Sequence, residues 1–137
     1  MAKYIQFGGE LIRALELANG GLAFVGASDF QQKTVTIGTA AAESGELDCG
    51  EGMRLVGYEV GTPCVTTSFT FKGGSSAGVR KSLYNSAGAV THTVTHNVAV
   101  GIGSDIGAFY PYRYISFVAG TVQGGTALTI TANLASI

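Results

Sequence analysis

Charged residues are scarce in this chain. Of its 137 residues, 8 are Lys or Arg and 9 are Asp or Glu, so 12% are charged against a usual share of about 25%. The formal net charge is -1. So small a basic content argues against nucleic-acid binding, which needs concentrated Lys and Arg. A surface poor in charge indicates either extensive contact with other protein or a neutral, threonine-rich β domain.

Tryptophan is absent, and only 2 Pro and 2 Cys occur. No apolar run approaches the roughly 18 residues of a membrane helix, and the first residues lack the apolar stretch of a secretory signal. We therefore expect a protein that stays in the cell that makes it, or in something assembled there, with no membrane partner. Two thiols form a zinc site only with His or carboxylate partners. A disulfide between Cys49 and Cys64 is possible, but without an export signal they are expected to be free thiols.

Alternation of apolar and polar residues dominates the rest of the chain. In residues 65–71, Val65, Phe69 and Phe71 lie on one predicted face, and threonines and a serine lie on the other. Residues 128–134 repeat the pattern. Both segments are predicted to be β-strands.

Further strands are expected at residues 34–37, 53–60, 79–84, 89–100 and 112–118. The second of these places Val56, Tyr58 and Val60 on one side, and the last is apolar on both faces, which predicts a central strand. Residues 39–52 are interpreted as a surface loop. About seven to nine short strands with Gly-rich turns predict an all-β fold, an antiparallel β-sandwich or jelly roll.

The first third of the chain is ambiguous. Residues 10–18 fit a short helix, but they equally fit a strand that turns at Asn19-Gly20 into a second strand, and this hairpin is favoured. We expect an irregular N-terminal arm or hairpin with an acidic loop over residues 1–50, packed on a β-sandwich domain over residues 51–137.

The two histidines are candidates for metal binding or catalysis. His92 and His96 would share one face of a single strand, but about 13 Å apart, too far for one metal ion. We interpret them as partly buried or interface imidazoles. No Gly-x-Ser-x-Gly motif occurs, and the Gly-rich segments 73–78 and 101–107 are interpreted as loops. We expect no enzyme activity, no catalytic residue, no metal site and no cofactor.

The charged residues that do occur form two small groups. An acidic group lacks the residue order of a calcium loop and is interpreted as solvated; it consists of Glu43, Glu46, Asp48 and Glu51. The basic group is too small for nucleic acid and is suited to pairing with acids of a neighbouring subunit; it consists of Lys72, Arg80 and Lys81.

Aromatic residues cluster at 109–114. Aromatic and Arg side chains anchor protein interfaces and stack on sugars, but they also fill cores. Tyr114 is assigned to the core, whereas Phe109 and Tyr110 are left open between core and interface.

The C-terminal half, residues 62–134, resembles a family of small β-sandwich proteins encoded near the head genes of tailed bacteriophages. The resemblance is carried by the strand at 68–72, the strand and turn at 82–88, the Tyr-Arg-Tyr-Ile strand at 112–120 and the final Leu-Thr-Ile-Thr strand. The Arg-Tyr-Ile strand also looks like one in galactose-binding-like jelly rolls. The chain departs from sugar-binding relatives in lacking Trp, the usual stacking platform.

The resemblance implies a non-enzymatic capsid decoration, or cement, protein on the outer surface of the virion. Its implied partners are the major capsid protein and further copies of itself in a homotrimer. Partner-binding residues are expected at Lys3, Tyr4 and Phe7 of the arm and at Phe109 and Tyr110. Alternatives are another virion component, such as a tail, fibre or head–tail connector part, or a carbohydrate-binding module.

Overall fold

A computed structural model describes residues 30–136 and, nearer the N-terminus, the strands β1 (Ala2–Phe7), β2 (Glu10–Glu16) and β3 (Leu22–Phe24). These three strands form an antiparallel sheet in the order β1-β2-β3. Glu16 pairs with Leu22, so residues 10–16 belong to a hairpin and not to a helix. The expected turn at Asn19-Gly20 lies outside the described residues. The expected irregular arm is thus a regular sheet over these segments.

The remainder is built from strands and one short helix. In chain order they are β4 (Phe30–Ile37), β5 (Leu47–Asp48), β6 (Met53–Val60), β7 (Ser68–Ser76), β8 (Val79–Ser82), β9 (Tyr84–Asn85), β10 (Gly88–Ala89), β11 (Thr91–Thr93), β12 (Val98–Gly101), α1 (Ile106–Phe109), β13 (Tyr114–Ala119) and β14 (Leu128–Ser136). A 3₁₀ turn, Gly103–Asp105, precedes α1. No helix in the described ranges has the length and apolar character needed to cross a bilayer.

Two antiparallel sheets form the sandwich. The four-stranded sheet has the order β12-β6-β14-β4, and the five-stranded sheet has the order β11-β7-β13-β5 with β8 added to β7. The predicted all-β antiparallel sandwich is confirmed. Because β4 and β5 belong to these sheets, the sheets extend beyond the expected domain boundary at residue 50.

Period-two burial is clearest in β14. Its inward residues Leu128, Ile130 and Leu134 have no exposed surface, and the intervening threonines point outward. In the other confident segment, Phe69 and Phe71 are buried as expected, but Val65 is 47% exposed because β7 begins only at Ser68. The expectation for Val65 is therefore wrong.

The long alternating run at 89–100 is not a single strand. β11 belongs to the five-stranded sheet and β12 to the four-stranded sheet. Between them, Asn97 adopts φ 56°, a left-handed conformation that Asn tolerates better than most residues. The alternating pattern continues through this turn because both strands face the core that lies between the sheets. Val94 before the turn and Val98 after it therefore both pack inward.

A register shift explains the mixed pattern of β6. Gly57 pairs with Asn133 and Leu55 pairs with Leu134, so Val56 is an extra residue without a partner on β14. Leu55 points into the core before the bulge, and Tyr58, three residues later, points into the core after it. The prediction that Val56 shares a face with Tyr58 is therefore wrong.

The segment 39–52 is not simply a surface loop. Leu47 and Cys49 are buried in the core. The Ser44 amide donates to the Phe117 carbonyl at 2.9 Å, and the Phe117 amide donates to Ser44 Oγ at 3.0 Å. These bonds hold the segment alongside β13, so β13 is a central strand, as predicted.

Aromatic rings from both sheets meet in the core. Tyr58 of the four-stranded sheet packs edge-to-face on Phe117 of the five-stranded sheet, with ring centroids 5.0 Å apart. Phe69 and Phe71 lie 6.0 Å from the same ring, and Phe109 of α1 packs on Phe71 at 4.9 Å. Each buried Phe contributes about 1.5–3 kcal/mol. The sheets are therefore held at a distance set by aromatic side chains.

Two consecutive glycines shape the end of β7. A Cβ on Gly74 would lie 1.8 Å from the Val79 carbonyl oxygen, and a Cβ on Gly73 would lie 3.1 Å from the Tyr112 ring. Segment 73–78 is not a loop, because β7 continues through Ser76 and turns directly into β8. Glycine is required here by close approach of a neighbouring backbone.

The Gly74→Ala substitution tests this packing. The added methyl group must displace the backbone of β8, so we expect the free energy of unfolding to fall by about 2–3 kcal/mol in urea denaturation. Gly125→Ala is the control, since its Cβ would meet nothing within 4 Å, and it should change stability by less than about 0.5 kcal/mol. Equal stability of the two variants would contradict the close approach.

Candidate functional site

A chain of polar side chains crosses the sandwich. The Tyr58 hydroxyl lies 2.8 Å from His92 Nδ1, and His92 Nε2 lies 2.9 Å from Asp105 Oδ2. Asp105 Oδ1 in turn accepts a hydrogen bond of 3.1 Å from the side-chain amide of Asn85. These hydrogen bonds join β6, β11, the 3₁₀ turn and β9. They therefore link both sheets to the surface hairpin that β9 forms with β10.

The donor and acceptor roles in this chain follow from burial. Burial raises the pKa of Tyr58 well above its ordinary value, so the phenol keeps its proton and donates it to His92 Nδ1. With Nδ1 accepting this bond, His92 donates from Nε2 to the Asp105 carboxylate. Tyr58 has no exposed surface and is surrounded by aromatic rings, so its hydroxyl is a structural donor that faces no cleft.

The two histidines have different surroundings. His96 is exposed in the turn before β12, whereas only 10% of the His92 side chain is exposed. The interpretation of His92 as partly buried is confirmed, but its partners Tyr58 and Asp105 were not foreseen. Tyr58 lies 34 residues and Asp105 lies 13 residues away along the chain, and no local spacing pattern reveals such contacts.

Tyr58→Phe tests the polar chain. The variant keeps the ring packing and leaves His92 Nδ1 without its donor, so we expect the free energy of unfolding to fall by about 1–2 kcal/mol. Tyr110→Phe is the matched control, because Tyr110 is 48% exposed. Imidazole ¹⁵N chemical shifts should also show the Nε2-protonated tautomer of His92 in the unmodified protein. An Nδ1-protonated tautomer would contradict the assignment of the roles.

Several charged side chains within residues 30–136 form ion pairs with one another. Lys72 lies 2.5 Å from Glu43, and Arg80 pairs with Glu46 and, at 3.7 Å, with Glu43. The basic residues Lys72 and Arg80 therefore have partners within their own chain, whereas pairing across subunits was expected. Similarly, Glu43 and Glu46 are not simply solvated.

Asp48 and Arg113 form a two-point ion pair. Arg113 Nε and a terminal nitrogen lie 2.7 and 3.2 Å from the two carboxylate oxygens. The hydrogen bond from Arg113 lowers the pKa of Asp48, and the same bond raises the pKa of Arg113. Both side chains are more than a third exposed, so solvent weakens the pair. Arg113 also lies over the Tyr114 ring, 5.3 Å from its centroid.

Both cysteines are free thiols in different surroundings. Cys49 has no exposed surface, and burial raises its pKa to about 11. Cys64 is half-buried and its pKa is also raised by burial. Neither thiol is therefore activated as a nucleophile at neutral pH.

The expected partner-binding residues have different locations. Phe109 has no exposed surface and packs in the core, so its ring is not available to a partner on this surface, whereas Tyr110 is 48% exposed. Tyr114 is only partly buried. The side chains of Lys3, Tyr4 and Phe7 lie outside the described residues.

The outer surface of the four-stranded sheet is almost uncharged. Its side chains alternate with the buried ones and lie in register across β12, β6, β14 and β4. We call this surface the threonine face; it consists of Gln32, Thr34, Thr36, Glu59, Ala99, Thr129, Thr131 and Asn133. Glu59 is the charged side chain among these residues, and Arg54 on β6, which pairs with Ala135, lies on the same outer surface. Beside it, at the start of β4, Phe30 is 76% exposed.

A cleft of about 440 Å³ opens beside the β7–β8 hairpin of the five-stranded sheet, and it shares no lining residue with the threonine face. We call it the tyrosine cleft; it is lined by Gly73, Gly74, Ser75, Val79, Lys81, Ser82, Leu83, Tyr84 and Tyr112. The cleft was not predicted from the sequence. The signal was the Gly73-Gly74 pair within a strand pattern, which indicates close approach of other groups.

No protein-family model matches the chain, and no curated protein matches it. Among solved structures, the crystal structure of the SPBc2 prophage-derived protein YomS is similar, with 16% sequence identity over 82% of this chain and 99% of that chain and a TM-score of 0.46. At this identity and TM-score, the similarity says nothing about function.

Proposed function

We propose that this protein is a non-enzymatic structural component of a phage virion, a capsid decoration protein that stabilises contacts between major capsid subunits. The proposal starts from the resemblance of residues 62–134 to small phage head proteins. The observation that supports it in the structure is the threonine face, a regular surface with few charged side chains, as in the core of a protein interface.

The threonine face suits a broad contact with another protein. Charged side chains lose hydration when they are buried, and interface cores are depleted of them. Threonine side chains have few rotamers to lose, and their hydroxyls form hydrogen bonds with a partner. The exposed Phe30 ring at the margin supplies an apolar anchor of the kind that dominates binding energy.

An unpaired strand edge adjoins this face. Within residues 30–136, β4 pairs with β14 only, although the Thr36 carbonyl accepts a hydrogen bond from the Gly45 amide at 3.3 Å. Backbone groups on such an edge can accept a strand of a partner. The Lys33 side chain does not guard this edge with its charge, because its ammonium group donates to the Asp48 carbonyl at 2.7 Å.

The proposed mechanism is mass action. A ligand that binds the assembled shell, but not the dissociated subunits, stabilises assembly in proportion to its occupancy. Repetition of the site over the shell adds many modest contacts, and a homotrimer would engage several subunits at once. The protein would be made in the host cytoplasm and would act on the outer surface of the capsid. This role requires no cofactor and no catalytic residue.

Co-sedimentation with emptied phage heads tests the proposal. The unmodified protein should pellet with the heads in a saturable way, and Thr129→Glu should weaken this binding at least about tenfold because it places an unpaired charge in the contact. Thr95→Glu is the matched control, an exposed threonine outside the sheets, and it should bind normally.

Two results would contradict the proposal. One is that the unmodified protein stays in the supernatant at saturating head concentrations. The other is that the Thr129→Glu and Thr95→Glu variants bind equally well, which would leave the threonine face without a role. Circular dichroism of both variants establishes that they are folded.

A further inference from the structure

The tyrosine cleft is independent of the threonine face and of the proposed capsid contact. It lies where the β7–β8 hairpin and the start of β9 face Tyr112, just before β13. A concave surface with aromatic walls and a few polar groups is the usual form of a small-ligand site. Three properties of this cleft indicate the chemistry of its ligand.

The first property is a pair of tyrosines. Tyr84 is 66% exposed and lies in the two-residue strand β9, which pairs with β10. Tyr112 lies with its ring against the backbone of Gly73, where a Cβ would come within 3.1 Å of two ring atoms. Tyr112 is therefore held in place, while Tyr84 presents most of its surface to solvent. Such amphipathic rings stack on the apolar faces of sugars and bond through their hydroxyls.

The second property is an unpaired cation. Within residues 30–136, the other Lys and Arg side chains form ion pairs or donate to backbone carbonyls, whereas Lys81 does neither. Lys81 is exposed and lines the cleft beside the hydroxyls of Ser75 and Ser82. A single free ammonium group is complementary to a single negative charge.

The third property is preorganisation. The Leu83 amide donates to the Phe71 carbonyl at 2.8 Å, and the Val90 amide donates to the Leu83 carbonyl at 3.1 Å. Asn85, next to Tyr84, is bonded to Asp105 of the polar chain that crosses the core. A site whose walls are fixed before binding loses little conformational entropy on binding.

We propose that the tyrosine cleft binds a carboxylated saccharide, such as a uronic-acid unit of a surface polysaccharide. Tyr84 stacks on a sugar ring, Ser75 and Ser82 form hydrogen bonds with sugar hydroxyls, and Lys81 pairs with the carboxylate. One cation cannot support nucleic-acid binding, which requires several phosphate contacts.

Isothermal titration of the full chain with a galacturonate tetramer tests this proposal, with maltotetraose as the neutral saccharide and poly-aspartate as the anionic non-saccharide. We expect saturable binding of the galacturonate tetramer and at least about tenfold weaker binding of the other two probes. Tyr84→Ala and Lys81→Gln should each weaken galacturonate binding about tenfold, and Tyr84→Phe should retain most of it. Tyr110→Ala, an exposed tyrosine outside the cleft, should bind normally.

Three results would overturn the proposal. They are the absence of saturable galacturonate binding, binding that Tyr84→Ala leaves unchanged, and equal binding of poly-aspartate, which would show that charge alone is recognised. Because Tyr84 is largely exposed, the Tyr84→Ala variant should remain folded, so weaker binding by this variant reports on the cleft itself. Failure of this test leaves the capsid proposal standing, since no residue is shared between the cleft and the threonine face.

Discussion

The packing of Tyr58 against phenylalanines of the opposite sheet is the interaction on which the rest of the structure depends. It sets the spacing of the two sheets, and the ring could not lie there unless its hydroxyl found a partner, because an unsatisfied buried hydroxyl is costly. His92 provides that partner and passes the connection to Asp105 and Asn85. One buried tyrosine thus ties the core to the surface hairpin that carries Tyr84.

Several charged side chains are likewise paired with other polar groups of the same molecule. Lys72, Arg80 and Arg113 pair with acidic residues of the segment at 43–48, which lies along the five-stranded sheet. The outer surface of the opposite sheet carries mainly threonine and amide side chains, with Glu59 and Arg54 as its charged residues. A molecule built in this way would act through the shape of its surfaces, and a shell that repeats one contact many times suits such a surface.

Local pattern predicted most of the fold. The alternation in β14 and the doubly apolar β13 were readable because each strand lies fully inside one sheet. Prediction failed where two strands of different sheets run on without a change of pattern, at Asn97, and where the bulge at Val56 shifts the inward face. The site was harder to predict, because the contacts of Tyr58 and the pairing of Arg80 with Glu46 join residues 34 positions apart. Only the glycine pair that shapes the tyrosine cleft left a local signal.

The most direct measurement of the central claim is the copy number of this protein in purified virions, by quantitative mass spectrometry against the major capsid protein. If the protein decorates the capsid, we expect a fixed stoichiometry with the shell subunit and hundreds of copies in each particle. A handful of copies would instead assign the protein to a tail, fibre or connector, and its absence from the virion would contradict the account.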